Sequence, residues 1–286
     1  MTAVTINQAT SLPRITIIMP SFEQGRYLTA ALRSVIEQRY ENLELLVYDG
    51  ASQDESVEII RRHASHIAWW QSRRDGGQVA AINAGLQRAT GEVIGWLNSD
   101  DVLLPGALHA IGRAFMRADL QMVCGWNIAF DDAGRECWRT VYPQTSVELL
   151  RRRTLLPQET VYWRRGIGMR AGLLDDSFAL AFDTDYWLRL MDAGAEPRVI
   201  HRFIGGFRQH DRQKTHASTA RRGAEWLRLM QRVHGEREGA EIAANPPRWP
   251  KGWRRSRKWW ECAVRWGWKG RPKLPTYAFK RTGGTF

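Results

Sequence analysis

An α/β fold with a mostly parallel central sheet is what this sequence predicts, and three observations predict it. Over the first hundred residues, short β-branched runs alternate with stretches whose apolar residues recur at helical spacing. Each predicted strand closes on a polar or turn-forming signature, as strands do when a ligand crevice lies at their carboxyl ends. The chain, 286 residues with 43% apolar side chains, is long enough and apolar enough to bury a proper core.

The elements follow in order. ITIIMP, Ile15 to Pro20, reads as a buried parallel strand ended by Pro-Ser. Tyr27 to Gln38 places Leu28, Ala31, Leu32 and Val35 on one helical face. LELLVYDG, Leu43 to Gly50, is a second strand, followed by a helix over Ser56 to His63 and a third strand over Ile67 to Gln71. A helix from Val79 to Gln87 leads to a strand at Val93 to Leu97 and the motif GWLNSDD, Gly95 to Asp101. Gly106 to Met116 is a helix, Met122 to Phe130 a strand, and Asp131 to Gly134 the turn of a hairpin. Gln158 to Gly166 alternates like a strand beginning near Thr160, and Phe182 to Gly194 starts with acids and ends with Gly, as a helix should. Two short strands, Arg198 to Phe203 and Gly206 to Gln209, precede a helix over Ser218 to Val233.

Composition narrows the function classes. Cys124, Cys137 and Cys262 are odd in number and widely spaced, which indicates neither a disulfide framework nor a zinc knuckle and fits a reducing cytoplasm. No apolar run of about 18 residues and no basic-then-apolar leader is present, so neither a membrane span nor export by an ordinary signal is expected. GxGxxG after the first strand and GxxxxGK[ST] anywhere are both missing, against a dinucleotide fingerprint or a Walker loop. The net charge of +12 is concentrated from Arg248 onward, where twelve Lys and Arg stand against Glu261, leaving the body nearly neutral.

Four strand ends carry polar groups that lie on one rim of such a sheet: Pro20-Ser21, Asp49-Gly50, Arg73 to Gly77 and Asn98 to Asp101. Asp100 and Asp101 in one turn repel unless something positive lies between them, and a divalent cation is the usual solution. As a helix cap for the following helix, a single Asp would suffice.

The ordered motifs PSFEQGRYLTAALRSVIEQRYENLELLVYDGASQDES, DGGQVAAINAGLQRATGEVIGWLNSDD, FDTDYWLRL and FRQHDRQKT closely resemble family 2 glycosyltransferases of the GT-A fold, particularly bacterial ones that build surface polysaccharides. The resemblance runs from about Ile15 to Thr215 and implies a Rossmann-like sheet flanked by helices. It implies a catalytic domain over residues 1–215, with a nucleotide-binding half over about 15–101 and an acceptor half over about 102–215, and a helical and basic extension over 216–286. It further implies inverting, hexosyltransferase-like transfer from a nucleotide-diphosphate sugar to a hydroxyl of a glycan or lipid-linked glycan. Asp183 is the general base in this resemblance, and Asp100 and His210 hold a divalent metal, Mg²⁺ or Mn²⁺. Pro20, Ser21, Glu23, Asp49, Asp75, Gln78, Asn83, Asn98, Ser99 and Asp100 match positions around the nucleotide sugar. Gln158, Glu159, Asp185, Arg208 and Lys214 fall on the acceptor or phosphate side. Asp101 is expected as a helix cap or as support for Asp100.

The sequence departs from the family pattern twice. Asn98 stands where the first acid of the usual Asp-any-Asp signature falls, and Phe182 where many relatives carry an acid before the base. These departures leave a nucleotide-sugar-binding module without turnover as the alternative. In the extension, helical spacing over Lys251 to Trp268 puts Trp253, Trp259, Trp260, Ala263, Val264 and Trp266 opposite Arg254, Lys258 and Arg265. That pattern suits an anionic membrane surface at the cytoplasmic face over residues 248–286. A helix packed on the body, or a flexible basic tail, is the other reading; nucleic acid binding is disfavoured.

Overall fold

The computed structural model describes residues 11–247 apart from 143, 145, 154–155 and 214–218, together with the backbone alone of Thr219. Lys214 and the basic tail from Arg248 onward lie outside the described residues.

Among the described residues, nine strands form one sheet in the order β3-β2-β1-β4-β8-β6-β9-β5, with β7 paired to β6. The first half is parallel: β1 (Ile15–Ser21) lies between β2 (Leu43–Asp49) and β4 (Val93–Trp96), and β3 (Trp69–Ser72) pairs with β2. Every residue of β1 is buried, the expected state of a strand covered on both faces. Beyond β4 the sheet turns mixed. The short β8 (Tyr162–Arg164) runs antiparallel to both β4 and β6 (Met122–Asp131), and β6 is parallel to β9 (Pro197–Gln209). The two-residue β5 (Val102–Leu103) closes the far edge against β9, and β7 (Glu136–Thr140) completes the expected hairpin with β6.

Helices cover both faces. α1 (Gly25–Ile36), α2 (Ser56–Arg62) and α4 (Ala107–Phe115) bury Leu28, Leu32, Ile59, Ile60, Ile111 and Phe115 on one side. On the other, α3 (Gln78–Arg88), α5 (Val147–Arg152), α6 (Arg165–Ala171) and α7 (Phe182–Asp192) surround the stacked rings of Trp96 and Trp187, 4.9 Å apart. α8 (Thr219–His234) and α9 (Glu236–Ala244) deliver Leu229, Met230 and Ile242 into the same core. Among the described residues, no helix is long and apolar enough to cross a membrane.

Three local expectations are corrected. The two short strands over Arg198 to Gln209 are one continuous strand, because β9 keeps pairing with β6 through register shifts beside Trp126. Gln158 and Glu159 belong to a 3-10 turn, Gln158–Thr160, that crosses the sheet before β8, instead of leading straight into a strand. The helix α4 has Gly106 at its N-cap position, so Asp101 caps no helix.

Candidate functional site

The carboxyl ends of β1, β2, β3 and β4 carry the first group of candidates. Pro20 and Ser21 end β1 buried, and Ser21 Oγ finds no hydrogen-bond partner among the described residues. Asp49 is fully buried: Oδ1 accepts from Ser52 Oγ at 2.6 Å, and Oδ2 accepts from Ser72 Oγ at 2.6 Å and from the Ser52 N–H at 2.9 Å. Ser52 Oγ in turn accepts from the Glu23 N–H, and Glu23 Oε1 accepts from the Gln53 N–H, so Asp49 shapes this loop from beneath. Glu23 holds a left-handed backbone at φ 53° and is exposed on the rim, as is Asp75, whose Oδ1 accepts from the Gly77 N–H.

The second group lies where the loop after β4 meets the end of β9. His210 Nε2 stands 3.1 Å from Asp100 Oδ2, and its ring packs on Tyr27 with centroids 4.6 Å apart. The other ring nitrogen, Nδ1, is buried without a partner. Asp101 is buried and accepts from the Arg208 backbone N–H at 2.9 Å, which ties the Asp-Asp turn to β9. Burial drives the Asp101 carboxyl well above its ordinary range, and the charges of Asp100 and Glu159 add to the rise. The Arg208 side chain is buried between the rings of Tyr27 and Phe130, and its Nε donates to the Asp100 carbonyl. It therefore holds the loop in place and does not offer its charge at the rim, contrary to its expected role on the phosphates.

Asn98 joins the groups. Its Oδ1 accepts from Gln78 Nε2 at 2.8 Å, and its Nδ2 donates to Gln158 Oε1 at 3.0 Å. Gln158 Nε2 continues to the Trp96 carbonyl at 2.7 Å. A carboxylate at 98 would face the Gln158 carbonyl oxygen and the Asp101 carboxyl, which gives a physical reason for the amide. Ser99, the next residue, is buried.

The third group is a pair of acids. Glu159 is buried, with Oε1 accepting from Asn127 Nδ2 at 2.7 Å. Burial raises its carboxyl to about 7 against the pull of that hydrogen bond, and the charges of Asp183 and Asp100 push the same way as burial. Asp183, in the first turn of α7, is raised by burial to about 6, opposed by the Thr184 N–H that donates to it. Its neighbour Phe182 packs toward Trp96, which accounts for an apolar residue there.

Two expected site residues face elsewhere. Asn83 clamps the loop before α7: its Nδ2 donates to the Leu174 carbonyl and its Oδ1 accepts from the Leu174 N–H. Asp185 is fully buried and pairs with Arg189 at 2.9 Å and with Arg232 of α8, inside the helical layer. Lys214 lies outside the described residues.

Two residues that hold the site carry little signal in the sequence. Asn127 is one polar residue in an apolar strand, a hint visible only once that strand is placed. Glu225 of α8 accepts from the backbone N–H groups of Ala179, Leu180 and Ala181, fixing the chain just before Asp183. Burial raises the Glu225 carboxyl, but those three donors and Arg221 outweigh it and leave it below its ordinary value. Nothing local in the sequence announces a partner more than forty residues away.

Asp100 and His210 together offer an oxygen and an imidazole nitrogen side by side, donors that Mg²⁺ or Mn²⁺ accept. Among the described residues no group of three or more His, Cys, Asp or Glu side chains could hold a metal by itself. A cation here would take its remaining ligands from phosphate oxygens and water, as Mg²⁺ commonly does. The donor set fits that arrangement.

Comparison with known proteins gives a consistent picture. Residues 16–178 match the model of glycosyl transferase family 2. An uncharacterized glycosyltransferase of Rickettsia typhi is 24% identical over 229 residues, which is 74% of this chain and 69% of that protein. One from Haemophilus influenzae is 34% identical over 125 residues, covering 43% of this chain and half of that protein. Among solved structures, TarS of S. aureus in complex with UDP-GlcNAc superposes with a TM-score of 0.63 at 15% identity, over 80% of this chain and 69% of that one. A mannosyltransferase from Pyrobaculum calidifontis in complex with GDP-Man and Mn²⁺ gives 0.61 at 18% identity, over 82% of this chain and 74% of that one.

Proposed function

Since this chain belongs to glycosyl transferase family 2, we propose that it is an inverting glycosyltransferase taking a sugar from a nucleotide-diphosphate sugar to a hydroxyl of a glycan or lipid-linked glycan. The observation that supports the reading is that Asp100, beside His210, and Asp183, raised to about 6, both lie within electrostatic reach of the buried Glu159. A leaving diphosphate needs positive charge and an attacking hydroxyl needs a base, and inversion requires them on opposite sides of the sugar carbon.

The donor's nucleoside lies along the strand ends, where the unpartnered Ser21 Oγ and the exposed Glu23 and Asp75 offer hydrogen bonds. Asp100 and His210 would hold the cation, Mg²⁺ or Mn²⁺, whose charge offsets that of the diphosphate. Ionised Asp183 accepts the proton of the acceptor hydroxyl as its oxygen forms the new bond to the anomeric carbon. The bond from that carbon to the diphosphate oxygen breaks, and the electron pair leaves with the diphosphate. Glu159, protonated more readily than an ordinary carboxyl, limits the negative charge around the base. Donors of the kinds seen with TarS and the Pyrobaculum enzyme, UDP-GlcNAc and GDP-Man, are the first to try.

A thermal-shift panel of nucleoside diphosphates and nucleotide sugars with and without Mn²⁺ tests this reading. A Mn²⁺-dependent rise in Tm that disappears in Asp100→Asn is expected. No shift with any nucleotide sinks it, and transfer undiminished in Asp183→Asn removes Asp183 as base.

A further inference from the structure

We propose that Trp138 and Phe207 form an aromatic shelf that binds a pyranose ring of the acceptor beside the buried Glu159. The inference deepens the reading above and rests on it: it names a subsite for the saccharide that receives the transferred sugar.

Register places the shelf. Ala129 of β6 is paired with Trp138 of β7 on one side and with Phe207 of β9 on the other, so the three side chains point to one face of the sheet. The two rings stand 6.5 Å apart at 42°, and on that face the intervening strand β6 presents only the methyl group of Ala129 between them. Two residues back along β6, Asn127 is paired with Thr140 and Gly205, and this row therefore shares the same face. Asn127 donates to Glu159, and a Cβ at Gly205 would lie 2.4 Å from Glu159 Cγ, so the Glu159 side chain sits on that face too. One row is about 7 Å along a strand. The aromatic pair thus stands about one sugar ring's length from the carboxyl that feels the charge of Asp183.

The chemistry of the pair matches a saccharide. Trp138 is 45% exposed, and besides it only Phe22, at the nucleoside end, is a large exposed aromatic among the described residues. An indole face is apolar and carries the negative end of the ring quadrupole. The C–H face of a pyranose is apolar with its hydrogens positively polarised, so the two stack while the sugar's hydroxyls point sideways. Thr140, half-buried on the same face, brings a hydroxyl to that rim. The shelf shares its sheet face with Glu159, whose carboxyl feels the charge of Asp183, which makes it a surface for the acceptor.

Saturation-transfer NMR on the full chain with the methyl glycosides of glucose, galactose, mannose and N-acetylglucosamine tests the proposal, alongside the Mn²⁺ thermal shift with UDP and GDP. The expected result is saturation of ring C–H protons for at least one glycoside, reduced about five- to tenfold in Trp138→Ala and largely restored in Trp138→Phe. The nucleotide shift stays at its wild-type value in both variants, since the ring contact of Trp138 is with Phe207 on the sheet face. Saturation unchanged in Trp138→Ala, or none in the wild type while the nucleotide shift is present, overturns the shelf. A Trp138-dependent glycoside signal with no nucleotide shift instead sinks the transferase reading and leaves the shelf as a saccharide-binding surface.

Discussion

Asp183 accepts a proton only when ionised, and burial places that ionisation near pH 6. Transfer measured as kcat/KM should therefore rise with pH through about 6, with a value at pH 5 about tenfold below that at pH 8. Asp183→Asn should lower kcat by about 10²- to 10⁴-fold while leaving the nucleotide thermal shift intact. Glu159 gives a stability test. Its folded pKa of about 7 lies above the unfolded value of about 4.3, so the folded state binds the extra proton and loses stability as pH rises between them. Glu159→Gln keeps an oxygen for Asn127 and removes that penalty; its Tm should exceed the wild type's at pH 8 and converge with it near pH 4. Calorimetry at the two pH values checks this. Asp100 and Asp183 can be singled out in the sequence because each stands in a spaced motif. The partners that Asn83 and Asp185 take cannot be read there, because each is distant in the chain, the Leu174 backbone in one case and Arg232 in the other.

At the scale of elements, the 3-10 turn that carries Glu159 rests directly on β9. Gly205 is buried where a methyl group would meet Glu159 Cγ at 2.4 Å and Thr160 Cγ2 at 2.9 Å. Gly205→Ala should cost about 1–3 kcal/mol in chemical denaturation. It should also weaken transfer more than nucleotide binding, because it displaces the acceptor flank. The parallel half of the sheet was readable from alternation alone, since β1, β2 and β4 are apolar runs ending in polar signatures. The rest was harder for specific reasons. The middle of β9 carries Gly205 and Gly206, a strand-weakening pair that splits it into two apparent strands, although its pairing to β6 continues. The sequence of α6, RGIGMRA, has two glycines and little helical propensity. Burial of Ile167 and the packing of Gly168 against Trp163 hold it instead, and neither could be read from the segment itself.

For the whole molecule, charge is divided between a nearly neutral body and a strongly basic, tryptophan-rich C-terminal stretch. The full chain should sediment with phosphatidylglycerol vesicles in preference to phosphatidylcholine, less so as salt rises. Replacing Arg254, Arg255, Arg257 and Lys258 by Gln should weaken that binding at least about tenfold. Equal sedimentation with both lipids, or tighter binding to RNA, counts against a membrane role for the stretch. Its basic and aromatic pattern is legible in the sequence, but the surface it meets is not, because lipid, nucleic acid and the protein's own body all accept such a pattern. Within the body, one strand touches several parts of the candidate site. β9 seats Glu159 over Gly205, presents Phe207, holds Asp101 through the Arg208 N–H, and leads into His210. A slip of one residue in that strand would turn each of these to the wrong face at once. Inherited variation in acceptor preference should therefore accumulate in the β6–β7 hairpin, where Trp138 can be exchanged alone, while insertions and deletions in β9 are purged.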